Sequence, residues 1–210
     1  MSVVLCFGDS LTWGFDPATA TRLPAADRWP TVLASGLGPD VHVIAEGLNG
    51  RTTTADSPFR AMRSGAAMLP ALLESHTPID IVVIMLGTND LQTALGLSAN
   101  YAASGVASLL DVVARSLAGP DRSSPRALLV SPPHVIAPCG FMGVLWEGRE
   151  AESRRLADRY RAVAEMSGAG FFDAASVVSP SLTDGVHLDP AGQRTLGVHL
   201  TAEVAALLDK

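Results

Sequence analysis

Cysteine, lysine and aromatic residues are all scarce in this chain of 210 residues, and each shortage removes a class of protein from consideration. Two cysteines, Cys6 and Cys139, cannot build a disulfide framework, and their spacing suits neither a zinc site nor a redox pair. Lys210 is the only lysine among 15 basic residues, and the arginines are scattered. With a formal net charge of -6, the chain has no electrostatic footprint for nucleic acid or an anionic membrane surface. No stretch approaches the roughly 18 uninterrupted apolar residues of a membrane span, and no basic segment precedes the apolar start at Val3. A protein without membrane contact, located in the cytoplasm, is the expectation. Neither G-x-G-x-x-G nor G-x-x-x-x-G-K-[ST] occurs, so nothing resembles a phosphate cradle. His42, His76, His134 and His199 share no metal-ligand spacing, and neither metal nor cofactor is expected.

What the chain does have is 48% hydrophobic residues against 17% charged, the balance of an ordinary globular domain spanning residues 1–210. A chain of this size buries roughly 70% of the surface its unfolded form exposes, enough for a core without staples. Short continuous apolar runs predict strands at Val3 to Phe7, Val41 to Ala45, Ile79 to Leu86, Ala127 to Ser131 and Gly170 to Asp173. Because these runs do not alternate, both faces of the sheet should be covered, as in a parallel sheet between helices. Val106, Leu109, Leu110, Val113 and Leu117 repeat at helical spacing, as do Leu196, Leu200, Val204, Leu207 and Leu208. Asp189 followed by Pro190 marks the start of the last helix, and one charged helix is expected from about Glu147 to Met166. Long connectors at Phe15 to Pro30, Ser131 to Gly143 and Ala174 to Asp189 all follow strands, where an open parallel sheet binds its ligands.

Four turns at strand ends carry polar residues. Gly8-Asp9-Ser10-Leu11-Thr12 leaves the first strand with a serine placed to project into the crevice, although serine there could equally cap a helix. Asn49-Gly50-Arg51-Thr52 offers a glycine that can present a bare N–H, or simply turn the chain. Gly87-Thr88-Asn89-Asp90 ends the most apolar strand with a carboxamide that could donate into the crevice or cap the next segment. Asp184-Gly185-Val186-His187 puts a carboxylate three residues before a histidine, able to hold one ring nitrogen and leave the other outward. Asp9 and Asp90 are expected to be hydrogen-bond acceptors within their own turns, and His134, after Ser131-Pro132-Pro133, could reach the crevice rim.

Together, in this order, the four turns resemble the SGNH hydrolase superfamily, the GDSL esterases and lipases. Further stretches, Cys6 to Gly14, Glu46-Gly47-Leu48 with Arg51-Thr52-Thr53, Ile84 to Asp90 and Val130 to Pro133, resemble its bacterial arylesterase and acyltransferase branch, typified by a mycobacterial enzyme. One departure is Gly50, where that enzyme has alanine. The resemblance implies a three-layer αβα sandwich around a five-stranded parallel sheet, flavodoxin-like in topology. It also implies a serine esterase acting on short-chain, acetyl-type esters, aryl esters included, with acyl transfer to alcohols or peroxide.

Ser10 would then be the nucleophile, His187 its base and Asp184 the residue that orients the base, with Ser10, Gly50 and Asn89 donating to the oxyanion. Leu11, Trp13, Phe15, Phe141 and Trp146, with Met142 and Leu145, are candidates for an apolar substrate wall, with core packing as the alternative. The expected partner is a small-molecule ester, and relatives of this branch suggest a homo-oligomer in which the loops Phe15 to Arg28 and Ala137 to Leu145 narrow the entrance. Two other readings stand beside this one: a carbohydrate acetyl esterase, and a non-catalytic flavodoxin-like binding domain.

Overall fold

The computed structural model describes residues 1–209. Five strands, β1 (Ser2–Gly8), β2 (Val41–Gly47), β3 (Ile81–Met85), β4 (Arg126–Ser131) and β5 (Gly170–Asp173), pair in parallel in the order β2-β1-β3-β4-β5. Eight helices of the described residues connect them: α1 (Ser10–Trp13), α2 (Trp29–Leu37), α3 (Gly65–Ser75), α4 (Ala99–Arg115), α5 (Gly140–Leu145), α6 (Glu150–Arg154), α7 (Leu156–Ser167) and α8 (Pro190–Leu208).

Strand geometry sorts the core into two halves, because successive side chains point to opposite faces. Leu5, Phe7, Val82, Ile84 and Leu129 face α3, α4 and α7, whose Leu69, Leu73, Val106, Leu109 and Tyr160 close that layer. Val4, Cys6, Ile81, Val83, Leu128 and Val130 face α2 and α8, packing on Trp29, Leu33, Leu196, Leu200 and Val204. Each such buried aliphatic contributes about 1.5 to 3 kcal/mol over leaving it in water. The sheet is therefore three-layered, and the strand order changes direction between β1 and β3, which is where a crevice opens.

Several elements depart from the sequence pattern. The β3 ladder is shorter than the apolar run, since Ile79 bonds to the carbonyl of Ala118 instead of a neighbouring strand. Leu117 does not extend the stripe of α4, because Ser116 turns to extended backbone and leaves Leu117 58% exposed. The expected helix from Glu147 is two short helices, α6 and α7, that begin only after Gly148, whose φ of +69° ends the preceding turn. Ser153 secures this region by accepting the N–H of Val135, while the Glu152 carboxylate caps α4 at Ala99, 2.7 Å away. The Asp189 cap forms as expected, its carboxylate accepting the N–H of Gly192 at 2.7 Å. Among the described residues no helix is long and apolar enough to cross a membrane.

Candidate active site

Asp9 follows β1 and caps α1, its Oδ1 accepting the N–H of Leu11 at 2.9 Å, and Gly14 stops that helix after one turn with a φ of +87°. Ser10 is thus the first residue of the turn, where a backbone N–H has no carbonyl behind it to bond. Its Oγ lies 2.9 Å from His187 Nε2, and His187 Nδ1 lies 2.6 Å from Asp184 Oδ2. All three side chains are buried, at 8%, 3% and 7% exposure for Ser10, His187 and Asp184.

The acid and base share a loop closed upon itself. Asp184 Oδ1 accepts the N–H groups of Val186 and His187, each at 2.9 Å, and Ser181 donates its N–H to the His187 carbonyl at 2.8 Å. Ile136 and Cys139 brace it through bonds to the carbonyls of Gly185 and Asp184. Burial pushes the Asp184 carboxyl up, but the hydrogen bond and positive charge of His187 and the two backbone donors outweigh it, holding the group below the usual carboxylate range. Phe15 lies against the imidazole, ring centroids 4.3 Å apart.

Opposite the triad, two turns converge. At Gly87 the backbone takes a φ of +119°, and a Cβ would lie 2.1 Å from Tyr160 Oη, so only glycine lets β3 leave the sheet here. The turn delivers Asn89, whose Nδ2 donates to Asp9 Oδ2 and to the Arg51 carbonyl, both at 3.1 Å, while Gln92 Nε2 donates to its Oδ1 at 2.8 Å. Gly50, with a φ of +81°, points no side chain into the crevice, and its N–H carries no hydrogen bond among the described residues.

A buried polar frame holds these turns. Arg51, 1% exposed, donates through Nη1 to the carbonyls of Gly8 and Glu46, and its guanidinium lies 4.2 Å from the centre of the Phe7 ring. Asp90 accepts both the N–H and the hydroxyl of Thr53, at 3.0 and 2.5 Å. Asp9 and Asp90 therefore reach beyond their own turns: each ties one strand-end turn to another. Burial raises both carboxyls to about 6, against the donors that lower them.

A cavity of about 590 Å³ opens over Ser10, Asn89 and His187. Phe15, Phe59, Leu95, Phe141, Met142, Leu145 and Trp146 supply its apolar wall; Asn49, Thr52, Ser57, Arg60 and Gln92 supply the polar part. Of the sequence-derived wall, Phe15, Phe141 and Trp146 lie on the cavity, whereas Leu11 and Trp13 do not. Leu11 points back into the α2/α8 core at 1% exposure, and Trp13 turns out under the Arg22 guanidinium, 5.0 Å from its ring centre. One-turn helix geometry explains both, since consecutive side chains radiate about 100° apart and only Ser10 can face the crevice. His134 is half-buried and off the cavity wall. Phe59, Arg60 and Gln92 were not legible as site residues, because they lie in aperiodic segments whose only signal is proximity to a turn glycine or asparagine.

A preassembled serine, histidine and aspartate at the strand ends of a 2-1-3-4-5 parallel sheet define a serine hydrolase of the flavodoxin-like α/β type. The model of the GDSL-like Lipase/Acylhydrolase family matches residues 6–206, and the chain belongs to that family. It is a carboxylic ester hydrolase, and family membership replaces the binding-domain reading. Among solved structures it is similar to an M. smegmatis aryl esterase in its inhibitor-bound form, with 39% identity over 99% of this chain and 100% of that one at a TM-score of 0.94. It is likewise similar to a carbohydrate acetylesterase from Sinorhizobium meliloti, with 36% identity over 99% and 100% of the two chains at 0.95. A carbohydrate acetylesterase family member from the same organism shares 41% identity over the full length of both, also at 0.95. No curated protein matches the chain at a significant level.

Proposed function

We propose that this single domain hydrolyses short-chain carboxylic esters, aryl esters among them, through an acyl-Ser10 intermediate. The observation that carries the reading is the hydrogen-bonded series from Ser10 Oγ through His187 to Asp184, at 2.9 and 2.6 Å. Ser10 Oγ attacks the ester carbonyl as its proton passes to His187 Nε2, and Asp184 keeps Nδ1 protonated and stabilises the imidazolium. The oxygen that gains charge meets the N–H groups of Ser10 and Gly50, and Asn89 gives one of its two long hydrogen bonds over to it. His187 then returns the proton to the leaving alcohol or phenol. Water, deprotonated by His187, attacks the acyl-serine and releases the acid. An alcohol or peroxide in water's place receives the acyl group instead, and a largely apolar cavity favours such an acceptor over water.

A second reading, removal of acetyl groups from sugars, is favoured by the polar side of the cavity. Asn49, Thr52, Ser57 and Gln92 line that side and carry groups able to bond sugar hydroxyls. Turnover of an aryl acetate and an acetylated sugar, each by the unaltered protein and by Ser10→Ala, tests both readings, with a small alcohol added in a further arm. Ser10-dependent phenol release supports the esterase, ester formed from the added alcohol supports transfer, and faster sugar deacetylation shifts the reading to the second. Turnover that survives in folded Ser10→Ala removes both. The proposal extends to a homo-oligomer, because Phe59 and Phe141 on the cavity wall are 72% and 71% exposed. A monomeric mass by light scattering at assay concentration would remove that extension.

A further inference from the structure

The cavity wall holds no carboxylate, and besides His187 its one ionisable side chain is Arg60. Arg60 belongs to none of the five ion pairs of the described residues, although Asp56 lies four residues earlier in the same segment. Its Nη1 lies 4.0 Å from where a side-chain carbon on Gly50 would stand, which places the guanidinium beside the proposed oxyanion donor. A second guanidinium, Arg63, is its neighbour, and that like charge, after burial, lowers the Arg63 pKa. Part of the Arg63 fork serves its own segment, with Nε on the Asn49 carbonyl at 2.9 Å and Nη1 on the Ala61 carbonyl at 2.7 Å, whereas Arg60 makes no such bond among the described residues. Two adjacent cations without a counter-ion repel each other, and a carboxylate brought in by a ligand would relieve that while filling the planar fork of Arg60.

We propose that Arg60 is an anion subsite and that the preferred substrates are esters carrying a carboxylate. This rests on the esterase reading above. The carboxylate can sit on either side of the ester bond, so the test uses both. A monoaryl succinate carries it on the acyl side and an acetoxybenzoate on the leaving group, each compared with its neutral methyl ester in the unaltered protein, Arg60→Gln and Arg60→Lys. The readout is the ratio of kcat/KM for the charged over the neutral ester within each protein. The unaltered protein favours one charged ester, Arg60→Gln lowers that ratio about tenfold, and Arg60→Lys keeps part of it. Added salt erodes the ratio in the unaltered protein, a readout that needs no variant. A ratio unchanged by both Arg60→Gln and salt overturns the subsite. Loss of Ser10 dependence with the neutral ester would instead overturn the esterase reading.

The peptide between Asn49 and Gly50 is gripped from its other end. Because a peptide group is planar, the Arg63 Nε bond to the Asn49 carbonyl also fixes the direction of the Gly50 N–H, and the cationic donor polarises that N–H toward its acceptor. We infer that Arg63 is a positioning residue for the oxyanion. Arg63→Met should lower kcat about tenfold at unchanged KM. It should weaken a trifluoromethyl ketone, which forms the oxyanion on Ser10, by the same factor, and Arg63→Lys should recover part of both. Unchanged kcat and unchanged ketone affinity in folded Arg63→Met would overturn the assignment. So would a loss in kcat that the ketone affinity does not share.

Discussion

Phe141 lies in the first turn of α5 and Trp146 caps its end, yet they live under different rules. Trp146 is 3% exposed and its indole N–H is fixed on the Thr88 carbonyl at 2.8 Å, directly behind the turn that carries Asn89. Phe141 is 71% exposed over the cavity mouth. The same division runs through the site as a whole. Ser10, Asn89, Asp184 and His187 are buried and hydrogen-bonded to one another or to neighbouring turns, whereas the segment carrying Phe59 and Arg60 is exposed. Groups proposed to do chemistry must hold their angles, and burial with satisfied hydrogen bonds achieves that; groups proposed to select a substrate need only overhang the entrance.

Ser10 carries the largest expected effect. Ser10→Ala should lower turnover of an aryl acetate by about 10⁴-fold or more while circular dichroism shows an intact fold. Residual turnover near the unaltered level would mean that the buried series is structural. Asn89→Ala should lower kcat by about 10² to 10³ with the protein still folded, which steady-state kinetics will read. A change confined to KM would place Asn89 among the selecting groups.

Between the two aromatics the contrast is one of stability. Trp146→Ala should cost about 3 to 5 kcal/mol in urea unfolding, through lost burial and an orphaned Thr88 carbonyl. Phe141→Ala should cost within about 0.5 kcal/mol and change chiefly KM, by a few fold. Equal losses of stability would erase the distinction between frame and rim.

The frame also has a cost that depends on pH. The Asp9 and Asp90 carboxyls stand at about 6, above their ordinary value. A carboxyl raised in the folded state favours folding below its ordinary value near pH 4, and that contribution is lost as pH rises through about 6. Asp90→Asn removes one share of this loss. Its stability relative to the unaltered protein should therefore improve by about 2 kcal/mol between pH 4 and pH 7. Parallel stability profiles would contradict the raised value.

The same division decided what the sequence disclosed. The strands and the meeting of Ser10, Gly50, Asn89, Asp184 and His187 at one crevice were legible because short apolar runs end at each of the turns that bear them, apart from the Asp184 turn, which the last helix follows. Leu11 and Trp13 were misplaced because a position in a turn does not say which way a side chain radiates within one helical turn. The break at Gly148 was hidden, since a charged stretch reads as helical whether or not a left-handed glycine precedes it. Arg51 reads as a motif residue but not as a buried brace across Gly8 and Glu46, because its partners are backbone carbonyls with no sequence signature. Rim residues such as Phe59 and Arg60 carry no periodicity at all.

The proposed chemistry passes through an acyl-serine. Rapid acid quench of the protein with excess para-nitrophenyl acetate, followed by intact-mass and peptide-mass measurement, should show one acetyl group on the peptide containing Ser10, formed as fast as the first turnover and absent in His187→Ala. Full turnover with no adduct, or with an acetyl group on another residue, would contradict it.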